Sequence, residues 1–274
     1  MVVGEYLRHV MEKGKAVVTS SRQLKLYSNS SSKDGSNWIY IMDFDHPAKF
    51  ETLAMEKEKK EEIIDDLIRY LLHGPPGTGK STMIAAIANL LSYDIYDLEL
   101  SAVLSNANLK RLVNKIPCNS ILVIEDIDCS SKITNQRERN NQGEEKKEKI
   151  LETVTLSGLL NCIDGLFSAN DGGRLMVFTT NHVEAIDSAL LRRGRMDKHI
   201  EMPFCGFEAF KVLAKNYLGI EEHELFGRIE GLLKESSVTP ADVAENLIAR
   251  RGEGKDCGEE CLKKLIEVLE KSIQ

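Results

Sequence analysis

The sequence predicts an α/β fold. A three-layer domain with a parallel sheet between helices carries a small C-terminal helical domain and is preceded by a short β-rich stretch. Three observations support this. Gly74-Pro75-Pro76-Gly77-Thr78-Gly79-Lys80-Ser81 fits G-x-x-x-x-G-K-[ST], the phosphate-binding P-loop, and sits between an apolar run and an Ala/Leu-rich helical segment. Apolar runs alternate with helical stripes from residue 70 to residue 202, as successive strand–helix units require. From Gly206 onward the pattern is wholly helical.

The elements follow in chain order. Lys15–Thr19 alternates polar and apolar residues into Arg22–Tyr27; a polar loop containing Asp34-Gly35 leads to Trp38–Met42, so residues 1–50 read as a β meander. Trp38 reads as a core residue. His46-Pro47 marks a break. Residues 52–69 look helical: Glu56–Glu62 is a charged, solvated face, and Ile63, Ile64, Leu67 and Ile68 form an apolar stripe. That stripe runs into Tyr70-Leu71-Leu72, a short buried strand, with no turn residue between them.

Thr82–Leu91 continues the P-loop as a helix, Tyr93–Leu100 alternates as a strand, and Asn106–Val113 forms a short helix. Ser120–Ile124 is the apolar, β-branched run of a central parallel strand. Residues 131–149 lose periodicity and read as a mobile charged insertion. Val154–Leu166 has helical spacing, Asn170–Gly173 is a turn, and Arg174–Thr180 is a second central strand. Ala185–Leu191 reads as a short helix and Lys198–Met202 as the last strand. Phe207, Phe210, Leu213, Ala214 and Tyr217 make one helical stripe, and Leu225, Phe226, Ile229, Leu232 and Leu233 another. Thr239-Pro240 starts a third helix, with Thr as cap and Pro at the first helical position, and Leu262–Leu269 closes the chain on a fourth. The expected division is a β-rich remnant at 1–50, a nucleotide-binding core at 51–205 and a helical lid at 206–274.

Composition narrows the functional classes. The 274 residues carry a net charge of −7, which advertises no basic surface for nucleic acid or anionic membrane. No apolar run is long enough to span a bilayer, and the N-terminus lacks the apolar core of a secretory signal. Cys118, Cys129, Cys162, Cys205, Cys257 and Cys261 form no paired C-x-x-C units and read as reduced thiols.

The chemistry beyond phosphate binding is drawn from strand ends. Gly77 and Gly79 permit backbone angles that turn several N–H groups onto one phosphate, at a helix N-terminus. Lys80 would reach the β- and γ-phosphates, and the Ser81 hydroxyl would ligate Mg2+, so Gly74 through Thr82 are the ATP-binding candidates. Hydrolysis further needs metal held from a second side, an oriented water and positive charge on the transition state. Glu125 and Asp126 follow an apolar strand, as the acids of a Walker B motif do; one would hold Mg2+ and the other orient water. A helix N-cap is the alternative reading of such an acid. Asn181 ends a separate strand and is a candidate donor to the γ-phosphate or the water. Arg192 and Arg195 flank a glycine; alone they read as a surface cluster, and beside the other pieces as arginine fingers.

Together Gly74–Ser81, Ile121–Asp128, Phe178–Asn181 and Arg192–Asp197 resemble the AAA-type ATPases. More narrowly, Asp94–Leu100, Ile124–Cys129, Leu156–Asn161, Gly194–His199 and Thr239–Val243 resemble the plant branch related to the mitochondrial chaperone that inserts the Rieske protein. The resemblance implies Mg2+-dependent ATP hydrolysis in a homo-oligomeric ring, coupled to remodelling or translocation of a protein substrate. It assigns Asn181 as sensor-1 and Arg192, with Arg195 beside it, as the finger reaching a neighbour's ATP. It also implies a mitochondrial or endoplasmic-reticulum membrane setting. A non-hydrolysing regulatory subunit and a nucleic-acid motor are the rival readings; the acidic balance weighs against the latter.

The chain departs from that family in three places. Most members have Asp before Glu, whereas Glu125 precedes Asp126 here, as in the narrower branch; by position Glu125 would serve the metal and Asp126 the water. Relative to the branch, the membrane anchor and most of the β-rich domain are absent. So is a segment between Leu67 and Tyr70 that would help wall the adenine pocket, which implies a truncated or alternatively spliced form.

Overall fold

A computed structural model describes residues 23–30, 36–56, 59–60, 69–128, 154–164, 174–192, 195–196, 198–248 and 257–273. Seven strands form one sheet in the order β2-β1-β4-β5-β6-β3-β7, with β1 Lys25–Ser28, β2 Ile39–Asp43, β3 Arg69–His73, β4 Asp94–Asp97, β5 Ser120–Ile124, β6 Arg174–Thr180 and β7 Lys198–Glu201. All neighbours pair in parallel except β1 with β2. The helices of the core are α1 Lys80–Leu91, α2 Asn106–Lys115 and α3 Leu156–Asp164.

The central strands bury both faces, and the period of two sends successive side chains to opposite layers. Tyr70, Leu72, Ile121, Val123, Leu175 and Val177 join the apolar layer under α1, while Leu71, Leu122, Ile124 and Phe178 join the layer containing Leu109, Leu112 and Leu159. This is the three-layer arrangement expected from the sequence. The stretch read as a separate β remnant supplies two strands of the same sheet: β1 lies parallel to β4 and forms a hairpin with β2. Tyr27 stacks on Tyr96 at 4.7 Å, and Trp38 meets Tyr96 edge-on at 5.1 Å while its Nε1 donates to the Leu112 carbonyl. Trp38 is thus partly buried against the core, as its composition suggested.

Several elements differ from their expected form. The strand expected over Tyr93–Leu100 ends at Asp97 and is followed by a 3-10 turn, Leu100–Ala102. The buried Asn29 amide explains the early end: it donates to the Glu99 carbonyl and accepts from the Glu99 N–H, replacing a ladder. The helix expected over Ala185–Leu191 is a 3-10 turn, Val183–Ala185, and then a turn centred on Asp187. The Asp187 carboxylate accepts from the Ala189 N–H and its carbonyl from the Leu190 N–H, so a short polar side chain competes with helical bonding. In the expected helix 52–69, Phe50–Thr52 is a 3-10 turn, and Ile63, Ile64, Leu67 and Ile68 lie outside the described residues. Lys15–Thr19, the insertion 131–149 and the turn 170–173 also lie outside them.

The C-terminal helices are α4 Phe207–Leu218, α5 Phe226–Glu235, α6 Pro240–Leu247 and α7 Cys257–Ile273. They enclose their own core, including Phe210, Ile229, Val243 and Leu262. Thr239 caps α6: its hydroxyl accepts from the Asp242 N–H, and Asp242 accepts from the Thr239 N–H. Tyr217, placed by periodicity in the buried stripe of α4, is instead 48% exposed. Among the described residues no helix is long and apolar enough to cross a membrane.

The aromatic contacts give a direct test of how the hairpin is held. Trp38→Phe keeps the ring but loses the bond to Leu112, and should lower unfolding free energy by about 1 kcal/mol. Because Trp38 is the only tryptophan, the comparison is made by circular dichroism in urea, with the transition midpoint falling and its slope unchanged.

Candidate nucleotide-binding site

Parallel register aligns the carboxyl ends of β5, β6 and β3: Ile124 pairs with Phe178, and His73 with Thr180. The loops leaving those ends meet in one cleft of about 970 Å³. Ligands of parallel α/β sheets bind outside this edge. The cleft is lined by P-loop residues 76–82, by Glu125, Asp126, Thr179 and Asn181, and by Met202 at the end of β7.

The P-loop is built by left-handed glycines. Gly74, Gly77 and Gly79 have φ of 144°, 81° and 96°, and Gly79 caps α1. A Cβ on Gly74 would lie 2.1 Å from the Met202 carbonyl oxygen, so only a glycine here lets the chain leaving β7 pass. The Thr78 hydroxyl donates to the Pro75 carbonyl at 2.8 Å and stiffens the loop. Lys80 Nζ donates to the Gly74 and Pro75 carbonyls at 2.7 and 3.0 Å. Burial lowers the Lys80 pKa, while Asp126, Asp128 and Glu125 work to raise it, so the ammonium faces a field of acids.

The acids divide by partner. Ser81 Oγ donates to Glu125 Oε1 at 3.1 Å, giving a hydroxyl–carboxylate pair of hard oxygens suited to Mg2+. Asn181 Nδ2 donates to Asp126 Oδ1 at 3.2 Å. Asp126 has a left-handed φ of 47°, uncommon outside glycine. Ser81, Thr82, Glu125, Asp126 and Asn181 are therefore gathered. Arg192 and Arg195 are not: neither lines the cleft. Arg195 donates to the Ala189 carbonyl at 2.6 Å, and Arg192 is exposed; Arg193, Gly194 and Asp197 lie outside the described residues.

The far wall is where sequence reasoning fell short. It is made by residues 46–55 and, on the lid, by Leu213, Asn216, Tyr217, Pro240, Ala241, Ala244, Glu245 and Ile248. Asn89 on α1 anchors this strap by donating to the His46 and Ala48 carbonyls at 2.8 and 2.7 Å. Asn216 of the lid donates to the Thr52 carbonyl, and the Ala241 N–H donates to the Gly77 carbonyl at 3.1 Å. The lid thus touches both the strap and the P-loop. His46-Pro47 was legible only as a break, and no periodicity marks a wall residue.

Asp97, at the tip of β4, is pushed up to about 6 by burial, then by Glu125 and Glu99. The folded chain therefore holds a proton there that the unfolded chain, near 3.8, releases. Stability falls as pH rises through that window. In metal-free protein, the melting temperature of Asp97→Asn relative to the parent should rise progressively between pH 4 and pH 6. A parallel pair of profiles would contradict the assignment.

Comparison with known proteins agrees with this geometry. Residues 70–204 match the ATPase family associated with various cellular activities (AAA), and residues 205–274 match the At3g28540-like AAA+ ATPase lid domain. Among similar proteins, AAA-ATPase At3g28580 of Arabidopsis thaliana is 50% identical over 312 residues, covering 98% of this chain and 61% of the relative. From the same organism, AAA-ATPase ASD, mitochondrial, is 49% identical, covering 98% and 60%; AAA-ATPase At3g28570, mitochondrial, is 49% identical, covering 99% and 64%. The chain thus spans about six tenths of the length of these relatives. The 312 aligned positions exceed the 274 residues of the chain, so the relative carries residues inside the match that have no counterpart here.

Proposed function

The chain belongs to the AAA family of ATPases, in the branch of these plant proteins, and from that premise we propose that it hydrolyses ATP with Mg2+ as an enzyme of a ring assembly. The observation that carries this reading is the convergence of Lys80, the Ser81–Glu125 pair and the Asp126–Asn181 pair on one cleft.

In this reading the backbone amides of residues 77–80 and the Lys80 ammonium hold the β- and γ-phosphates. Lys80 exchanges its loop carbonyls for phosphate oxygens. Ser81 and Glu125 hold Mg2+, which neutralises charge developing on the phosphates. Asp126, beside Asn181, orients a water toward the γ-phosphorus and accepts its proton. The strap of residues 46–55 and the lid face of α4 and α6 receive the base and ribose. The product ADP leaves when the lid releases its hold.

The cleft offers Lys80 alone as a lining cation among the described residues. The second positive charge of the transition state is assigned to Arg192 of a neighbouring copy, which explains why that side chain is exposed and remote from its own cleft. The lid contacts the P-loop through Ala241 and Gly77, a route by which the nucleotide state moves the lid against a protein substrate. Two relatives carry "mitochondrial" in their names, and a mitochondrial setting is the compartment we favour. We place part of the missing aligned positions just before β3, where a helical stripe abuts a strand without a turn.

Steady-state phosphate release tests the core claim. Lys80→Ala should lose nucleotide binding, and Asp126→Asn should retain it while turnover falls about 100-fold or more. Parent protein that binds Mg2+-ATP but releases no phosphate would leave a binding subunit instead. For the ring, sizing with ATP should show a larger species than without it. Specific activity should rise with chain concentration, and Arg192→Ala should lower kcat by about 100-fold or more with affinity unchanged.

A further inference from the structure

We infer that Thr179 is a positioning residue for hydrolysis: it holds the backbone of Asp126 in the one conformation that aims this carboxylate at the cleft. The inference rests on the ATPase reading of the site. Chain geometry at the end of β5 supports it. The last strand residue, Ile124, pairs with Phe178, after which the two chains stop running in parallel. Thr179 then takes two successive donors from the turn. Its hydroxyl accepts from the Asp126 N–H at 3.1 Å, and its carbonyl accepts from the Ile127 N–H at 3.1 Å. Thr179 is 3% exposed, so this hydroxyl has little access to water.

Asp126 pays for its position in backbone strain. A φ of 47° crowds its Cβ against its own carbonyl, a conformation that L-residues adopt only as isolated exceptions. Such a conformation persists only where its surroundings over-determine it. The two bonds to Thr179 supply that determination from one residue. The Asn181 amide, two positions further along the same chain, then meets the carboxylate that the turn presents. Thr180, between them, donates to Asp128 Oδ1 at 2.8 Å and closes the far side of the turn. The tip of β6 therefore reads the acid turn residue by residue: backbone by Thr179, side chain by Asn181.

Removing the hydroxyl leaves the Asp126 N–H without its acceptor and frees the turn to relax to ordinary angles, which swings the carboxylate away. Nucleotide affinity is assigned to the P-loop, the strap and the lid face, none of which the substitution alters. The test is ATP turnover and nucleotide affinity of the full chain carrying Thr179→Val, Thr179→Ala or Thr179→Ser. Val keeps the shape and loses the acceptor; Ala and Ser share the lost methyl and differ only in the hydroxyl. We expect kcat to fall about 10- to 100-fold in Val and Ala, with affinity for ATP within about threefold of the parent, and Ser to stay within about threefold in kcat. Placed on Asp126→Asn, Thr179→Val should cost no further turnover, since the group it positions is already gone.

Turnover in Val and Ala within twofold of the parent would overturn the inference. So would a loss in Ser as large as that in Ala, or a loss matched by weakened binding. Failure of both Val and Ala to fold would also count against it, because the hydroxyl would then be a requirement of the fold. A parent chain without any turnover refutes the ATPase reading itself, and is distinguished from these outcomes by that control.

Discussion

The arrangement of the site depends on parallel strand register. Because β3 and β6 end level at His73 and Thr180 and β5 ends two residues short of them at Ile124, loops far apart in sequence leave the sheet on the same edge. Nothing local to Gly77, Asp126 or Asn181 brings them together. A slip of one residue in any of the three strands would turn its apolar side chains into the wrong layer, and the cores under α1 and α2 are both fully engaged. Site geometry is thus specified by hydrophobic packing on both faces of the sheet, at some distance from the polar groups it aligns.

The cleft is a joint property of two hydrophobic cores. The P-loop and the acids stand on the sheet, while much of the opposite wall stands on helices packed around Phe210 and Leu262. Among the described residues the links between them include two hydrogen bonds, Ala241 N–H to the Gly77 carbonyl and the Asn216 amide to the Thr52 carbonyl, and the packing of Ala54 against the lid core. Such bonds contribute about 1 kcal/mol each, small beside the burial that holds either core. Each core is therefore held mainly by its own burial, and the cleft is lined from both.

Much of this was legible in the letters. The P-loop, the apolar runs of β5 and β6, the cap of α6 and the helical stripes of the lid are local patterns, and local patterns survive folding. Misreadings arise where a polar side chain, distant or local, takes over backbone bonding, or where the surroundings of a stripe are set by other elements. Asn29, about 70 residues from its partner, ended β4 early. Asp187 broke a short helix through its own carboxylate. Tyr217 fits the periodicity of α4 but faces the cleft, since helical spacing identifies a stripe and not what lies opposite it. The strap at 46–55 has no repeat of either period; it is placed by Asn89 reaching across from α1, by Asn216 of the lid and by burial of Ala48, Phe50, Leu53 and Met55 in the sheet core.

The reversed order of the acids follows from the same turn. On a regular strand Glu125 and Asp126 would point to opposite faces, and only one could reach the nucleotide. The left-handed turn at Asp126 cancels the alternation, so both side chains line one cleft. Their partners then differ by reach. The longer glutamate extends to the Ser81 hydroxyl on α1, and the shorter aspartate stays close to the tip of β6, where Asn181 meets it. The two acids thus meet different partners through one extra methylene and one unusual backbone angle. An acid pair in either order can be gathered into such a cleft, provided the neighbouring strand holds the turn. In this chain the buried Thr179 occupies that place, its hydroxyl accepting from the Asp126 N–H.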